Sequence, residues 1–138
     1  MKTSQLWLSL PAVLLVSLAW AQTPAPTPAP AQKLSYTDDY RISVDDDADT
    51  DGEIVFRVTP KKGDVTEVKV TIAKGTSENA IAREIKKAFV AQLGTKHYNI
   101  EMEDGENVII ERSMGAENIS LVLVSSTVKG VDVEVHRD

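Results

Sequence analysis

Val68-Lys69-Val70-Thr71-Ile72-Ala73-Lys74-Gly75-Thr76-Ser77-Glu78, with the run that follows it to Gly94, decides how this chain folds. In its first half Val68, Val70 and Ile72 alternate with Glu67, Lys69 and Thr71, the period of two of a strand with one buried face. In its second half Ile81, Ile85, Ala88, Phe89 and Leu93 recur at i, i+4, i+7, i+8 and i+12, one apolar stripe on a helix. Arg83, Glu84, Lys86 and Lys87 take its other sides, and the two lysines read as a solvated face. A hydroxyl of Thr76 or Ser77 is placed to cap the first turn, Glu78 suits the positive end, and Gly94 suits a left-handed exit. The stretch therefore predicts a strand, a turn at Gly75, and one helix.

Working outward from it, the C-terminal side alternates again at Tyr98, Ile100 and Met102. Asp104-Gly105 invites a two-residue turn. That register would face Glu103 with Glu106 and Met102 with Asn107, setting like charges and unlike faces together. A three-residue loop, Asp104 to Glu106, pairs Met102 with Val108 and Ile100 with Ile110, and is preferred. Ile119 to Val124 is apolar on both faces, which predicts a central strand. Val131 to Val135, alternating with Asp132 and Glu134, predicts a last one.

On the N-terminal side Tyr40, Ile42 and Val44 form a first short strand, and Ile54, Phe56 and Val58 a second. Pro60-Lys61-Lys62-Gly63 has Pro early and Gly late, good turn chemistry for a hairpin onto the Val68 strand. The expected fold class is α+β: a mostly antiparallel sheet of about seven short strands, with one amphipathic helix packed on a face.

The chain's start reads differently. Lys2, the apolar run Leu6 to Leu18 and Ala19-Trp20-Ala21 have the order of a secretory signal peptide, assigned to residues 1–21. The run is short of the ~20 residues a membrane span needs, so stable membrane insertion is not expected after cleavage. Residues 22–33 alternate Pro24, Pro26, Pro28 and Pro30 with Ala and Thr, an extended spacer without helix or sheet. The single folded domain is then 34–138. Removing Lys2 from 15 basic residues leaves 14 against 21 acidic, a net charge of −7. That balance weighs against nucleic acid, whose affinity rests on neutralised phosphates. The chain has no Cys, so disulfides and a lipid-modified Cys anchor are excluded, and the exported domain is held by its core alone. The expected location is secreted or periplasmic.

The stretch Val70 to Ser77, the helix, the Tyr98 to Arg112 hairpin and Gly115-Ala116-Glu117-Asn118-Ile119-Ser120-Leu121 are similar to the strand–helix–hairpin pattern of flagellin hook-type IN-motif repeats and of some phage tail proteins. The resemblance spans roughly 55 residues and implies a structural or interaction module without catalysis. The signal peptide departs from both families, so only the architecture is carried over.

The leading candidate site is Asp47-x-Asp49-x-Asp51-Gly52. Alternating carboxylates ended by Gly match the first half of a calcium loop, where a tight turn aims hard oxygens at one ion. Glu53 would add its backbone carbonyl at the seventh position. Val58 stands where the bidentate Glu belongs, so Asp45 or Asp46 would have to supply that carboxylate. The calcium set is then Asp45, Asp47, Asp49, Asp51 and Glu53, and calcium is the one cofactor the sequence suggests. The alternative is an acidic, solvated hairpin loop. Asp132, Glu134 and His136 share a strand face, but the outer two stand roughly 13 Å apart, too far for one zinc. His97 follows the helix, where its cation suits the negative end. Glu101, Glu103 and Glu106 could pair as acid and base, as in a glycosidase, though few aromatics are present to hold a sugar and no nucleophile–base pair accompanies them. The expected function is an exported, non-catalytic binding or structural module, partnered by a protein or a cell-envelope component. Two alternatives stand beside it: a small secreted inhibitor or effector docking on a partner protein, and a small hydrolase.

Overall fold

The computed structural model describes residues 33–137. The signal peptide and all of the spacer but Lys33 lie outside the described residues. The elements in order are β1 (Asp39–Asp45), β2 (Gly52–Pro60), β3 (Thr66–Ile72), α1 (Glu78–Leu93), β4 (Tyr98–Glu103), β5 (Asn107–Arg112), β6 (Ile119–Ser126) and β7 (Asp132–Arg137). They build two antiparallel sheets, β4-β5-β1-β7 and β3-β2-β6, and the helix packs against both. The α+β expectation holds, with the strands divided between two sheets. No described helix is long and apolar enough to cross a membrane.

The alternation read from the sequence sets the inner faces. Val68, Val70 and Ile72 of β3, Ile54, Phe56 and Val58 of β2, and Tyr40, Ile42 and Val44 of β1 are all buried. The helix lays Ile81, Ile85 and Phe89, each 0% exposed, into the space between the sheets. Ala82 joins them, while Ala88 and Leu93 are only half-buried. Phe89 meets Phe56 edge to face, ring centroids 5.3 Å apart, the geometry that ring quadrupoles favour. In the β4–β5 hairpin Ile100 lies opposite Ile110 and Met102 opposite Val108, the register of the three-residue loop. Asp104 and Gly105 both take positive φ there, which Asp and Gly tolerate better than most residues.

Three expectations need correction. Strand β6 is at the edge of its sheet, with β2 in the middle. Its outer edge is paired only at its start, where Thr37 exchanges backbone hydrogen bonds with Ile119 at 3.0 and 3.1 Å, and Val124 towards its other end is exposed. The acidic stretch is no hairpin loop, because β1 and β2 belong to different sheets. It is the connection that crosses between them. Finally, the helix cap is not a local hydroxyl. Ser77 holds the extended backbone of a cap but makes no side-chain cap bond, and the Thr76 hydroxyl donates to Ala73 O at 2.6 Å.

Candidate functional site

The antiparallel order places one set of connections together at one end of the molecule. The β1–β2 crossover, the β3–α1 turn, the β4–β5 turn and the β6–β7 turn all meet there. Backbone hydrogen bonds hold them. Val44 N donates to Glu106 O at 3.2 Å; Ala48 N donates to Thr76 O at 2.9 Å, and its own carbonyl accepts Gly75 N at 2.7 Å; Asp49 N donates to Lys129 O at 2.8 Å. Ala48 is thereby buried in the middle of the acidic run. The crossover is a folded element, anchored to two other turns.

The five Asp residues of the run do different jobs. Asp47 Oδ1 accepts the Glu78 N–H at 3.2 Å, taking the place of the missing local cap on α1. A carboxylate there satisfies an orphan donor and sits at the positive end of the helix. Asp51 Oδ1 accepts Lys74 N–H at 2.7 Å, fixing the turn that leads into the helix. Asp49 lies against Gly130, so close that a Cβ added there would stand 2.7 Å from its Oδ2 and 2.8 Å from Asp47 O. Gly130 also has φ +87°, so this position demands glycine twice over. Asp46 has φ +66°, and Asp45 ends β1 opposite Asp132 of β7.

Glu53 belongs to β2, and its backbone is engaged elsewhere. Its carbonyl accepts Thr127 N–H at 3.0 Å, and its N–H donates to Thr127 Oγ1 at 2.9 Å. The carbonyl expected at the seventh position of a calcium loop thus closes the β6–β7 turn instead. Asp46, Asp47, Asp49 and Glu78 do line one open hollow, with Gly130 as its far wall. Glu78 was not in the sequence-derived set; its position one residue after the cap, facing the crossover, could not be read before the β1–β2 connection was placed. Among the described residues no three His, Asp or Glu side chains converge closely enough to hold one metal ion.

The remaining candidates stay apart. Glu103 pairs with Arg41 across the sheet at 2.6 Å, and Glu101 accepts from Asn99 Nδ2 at 3.0 Å. Glu106 is in the β4–β5 turn, its carbonyl on Val44. His136 contacts Glu134 at 3.1 Å on the exposed face of β7. His97 and Tyr98 line a shallow hollow at the opposite end of the molecule, with Glu117 and Pro60. There the Tyr98 hydroxyl donates to Glu117 O at 3.3 Å, and burial, helped by the Glu117 charge, pushes the phenol above its usual pKa. No protein-family model matches this chain, and comparison with curated proteins finds no significant relative.

Proposed function

We propose that the domain is a non-catalytic interaction or structural module, exported on its N-terminal leader and partnered by a protein or an envelope component. One observation carries this reading: several of the carboxylates suited to acid–base or metal chemistry are engaged by the protein's own groups. Asp47 and Asp51 accept main-chain N–H groups, and Glu103 is held by Arg41. A catalytic pair needs two groups converging on one substrate position; Glu101 and Glu103 share a face of β4, but Glu101 accepts from Asn99 and Glu103 is tied to Arg41. What such an architecture offers is a rigid surface. Chemical crosslinking of the full chain in the exported fraction tests it, and a stoichiometric protein or envelope partner is expected. If no partner appears, and turnover of a broad panel of hydrolase substrates is lost in Glu101→Gln, a hydrolase takes its place.

Calcium remains a second reading on one specific ground, the four carboxylates facing the same open hollow. Opposed charge would relieve their mutual repulsion and tighten the crossover. At a hundredfold excess over Kd, calcium would add roughly 2.7 kcal/mol of stability. A melting curve in calcium against one in chelator checks this, with Asp49→Ala as the control; identical midpoints remove the ion.

A further inference from the structure

Beside its buried stripe the helix carries a second one. Arg83, Lys86, Lys87, Val90 and Ala91 fall at i, i+3, i+4, i+7 and i+8, and with Met102 of β4 they line an open groove of about 510 Å³. Its floor is apolar: Val90 and Met102 pack against the core from outside and stay partly exposed. Its rim is cationic. Lys87 has only an exposed i,i+3 pairing with Glu84 at 3.6 Å, a weak one. Arg83 and Lys86 form no ion pair among the described residues. Glu101 and Glu103, which flank Met102 in sequence, alternate to the other face of β4, and Glu103 is bound to Arg41. On a chain of net charge −6, three cations around an apolar floor stand apart from their surroundings. The second wall of the groove is an edge strand, since β4 is hydrogen-bonded to β5 alone among the strands.

We propose that this groove docks an acidic protein segment, one apolar side chain seated on Val90 and Met102 and its carboxylates facing Arg83, Lys86 and Lys87. The proposal rests on the interaction-module reading and names its surface and its partner's chemistry. Charge complementarity selects the occupant: a carboxylate-rich chain gains from all three cations, and an extended segment lies naturally beside an edge strand. A second copy packed helix to helix would set cations against cations. A bilayer would have to reach a recessed floor using only three basic residues.

The test is selection of a random displayed peptide library on the immobilised full chain, with the recovered peptides titrated by fluorescence anisotropy. Recovered peptides should be rich in Asp and Glu and carry Leu, Ile or Phe. Their Kd should rise at least tenfold in Arg83→Glu/Lys86→Glu, and likewise in Ala91→Glu, at an unchanged melting midpoint; added salt should weaken them too. Acid-poor peptides, or acidic ones indifferent to both variants, overturn the groove while leaving the module reading intact. An absence of any enriched peptide overturns the groove, and the module reading then stands or falls on the crosslinking. Binding of phosphatidylglycerol vesicles, or a dimer seen by sedimentation, that the double variant abolishes while peptide affinity is unmoved assigns the patch to a membrane or a second copy and overturns the proposal.

Discussion

Replacing Asp47 by Ala is the sharpest perturbation of this fold, because one side chain there serves two elements. Its carboxylate is the acceptor for the first turn of α1, at 3.2 Å from Glu78 N. Losing a cap costs typically about 1 kcal/mol, and losing a negative charge at the positive end of a helix about 0.3–1 kcal/mol more. Asp47 is exposed, so the lower part of each range applies, giving roughly 1–1.5 kcal/mol. At about 4–8 °C per kcal/mol for a domain near 100 residues, the melting midpoint should fall by roughly 6 °C. Ser77 offers a partial rescue: its φ of −73° and ψ of 156° already suit a cap, so in Asp47→Ala its hydroxyl can rotate onto the N–H of Asn79, the second helical residue, and offset part of the loss. The double variant Asp47→Ala/Ser77→Ala should therefore lose more than the two single losses together, a coupling that a double-mutant cycle reads directly. Asp47→Asn keeps an acceptor oxygen and should recover most of the loss. Circular dichroism melts in chelator are the assay. A shift under about one degree in Asp47→Ala would sink the clamp. So would a loss that appears only when calcium is added, which would hand the carboxylate to the ion.

Other outcomes follow from the same packing. Gly130→Ala should cost more than about 1 kcal/mol, since the added carbon adopts an unfavourable φ and meets the Asp47 carbonyl, which cannot swing away as a side chain would; denaturant titration checks it, and a neutral result means that the β6–β7 turn is loosely held. Phe89→Ala should cost about 3–5 kcal/mol, a large share of the stability of a small domain, whereas Ala88→Ser on the rim of the stripe should change it little. Stability should also fall in alkali. Burial raises the Tyr98 phenol above its ordinary value of 10.0, so the fold favours the neutral form; that contribution is complete below the unfolded pKa and is lost as pH climbs through the folded one. Melts across that range should show a fall that Tyr98→Phe lessens, and an equal fall in the variant would move the cause to another group.

Most of the fold was legible because most of it follows from local periodicity. β3, α1 and the β4–β5 register each depend on residues within a few positions of one another, and alternation or a 3.6-residue stripe fixes which side faces in. What the sequence could not show was how strands distant along the chain associate. Ile119 to Val124 reads as central because both its faces are apolar; its place at the edge, with only Thr37 paired beyond it, depends on a residue more than 80 positions away. Asp47 reads as a metal ligand for the same reason. Carboxylate spacing is visible in sequence, but the donor that occupies one of them, Glu78 N, comes from the far side of two intervening strands. Glu53 falls at the seventh position of a calcium-loop pattern, and position along a loop does not reveal that its carbonyl faces Thr127. The local hydroxyl cap failed in the same way, displaced by an acceptor that arrives through tertiary structure.

The two ends of the molecule differ in a way that bears on how it presents itself. Thr37 pairs with Ile119 at the start of β6, while Asp49 bonds Lys129 just beyond that strand's end. Thr37 thus lies at one end of β6 and the acidic crossover at the other, a full strand length apart. The groove between α1 and β4 takes its cations from the middle turns of the helix. An acidic partner approaching the crossover end is repelled and one approaching the helix flank is drawn in, because potentials from clustered charges extend about 8–10 Å at ordinary salt. Opposite fields on one small body orient a charged segment before contact. Asp46→Lys/Asp49→Lys, by erasing the repelling end, should therefore lower the selectivity for the groove without touching its residues.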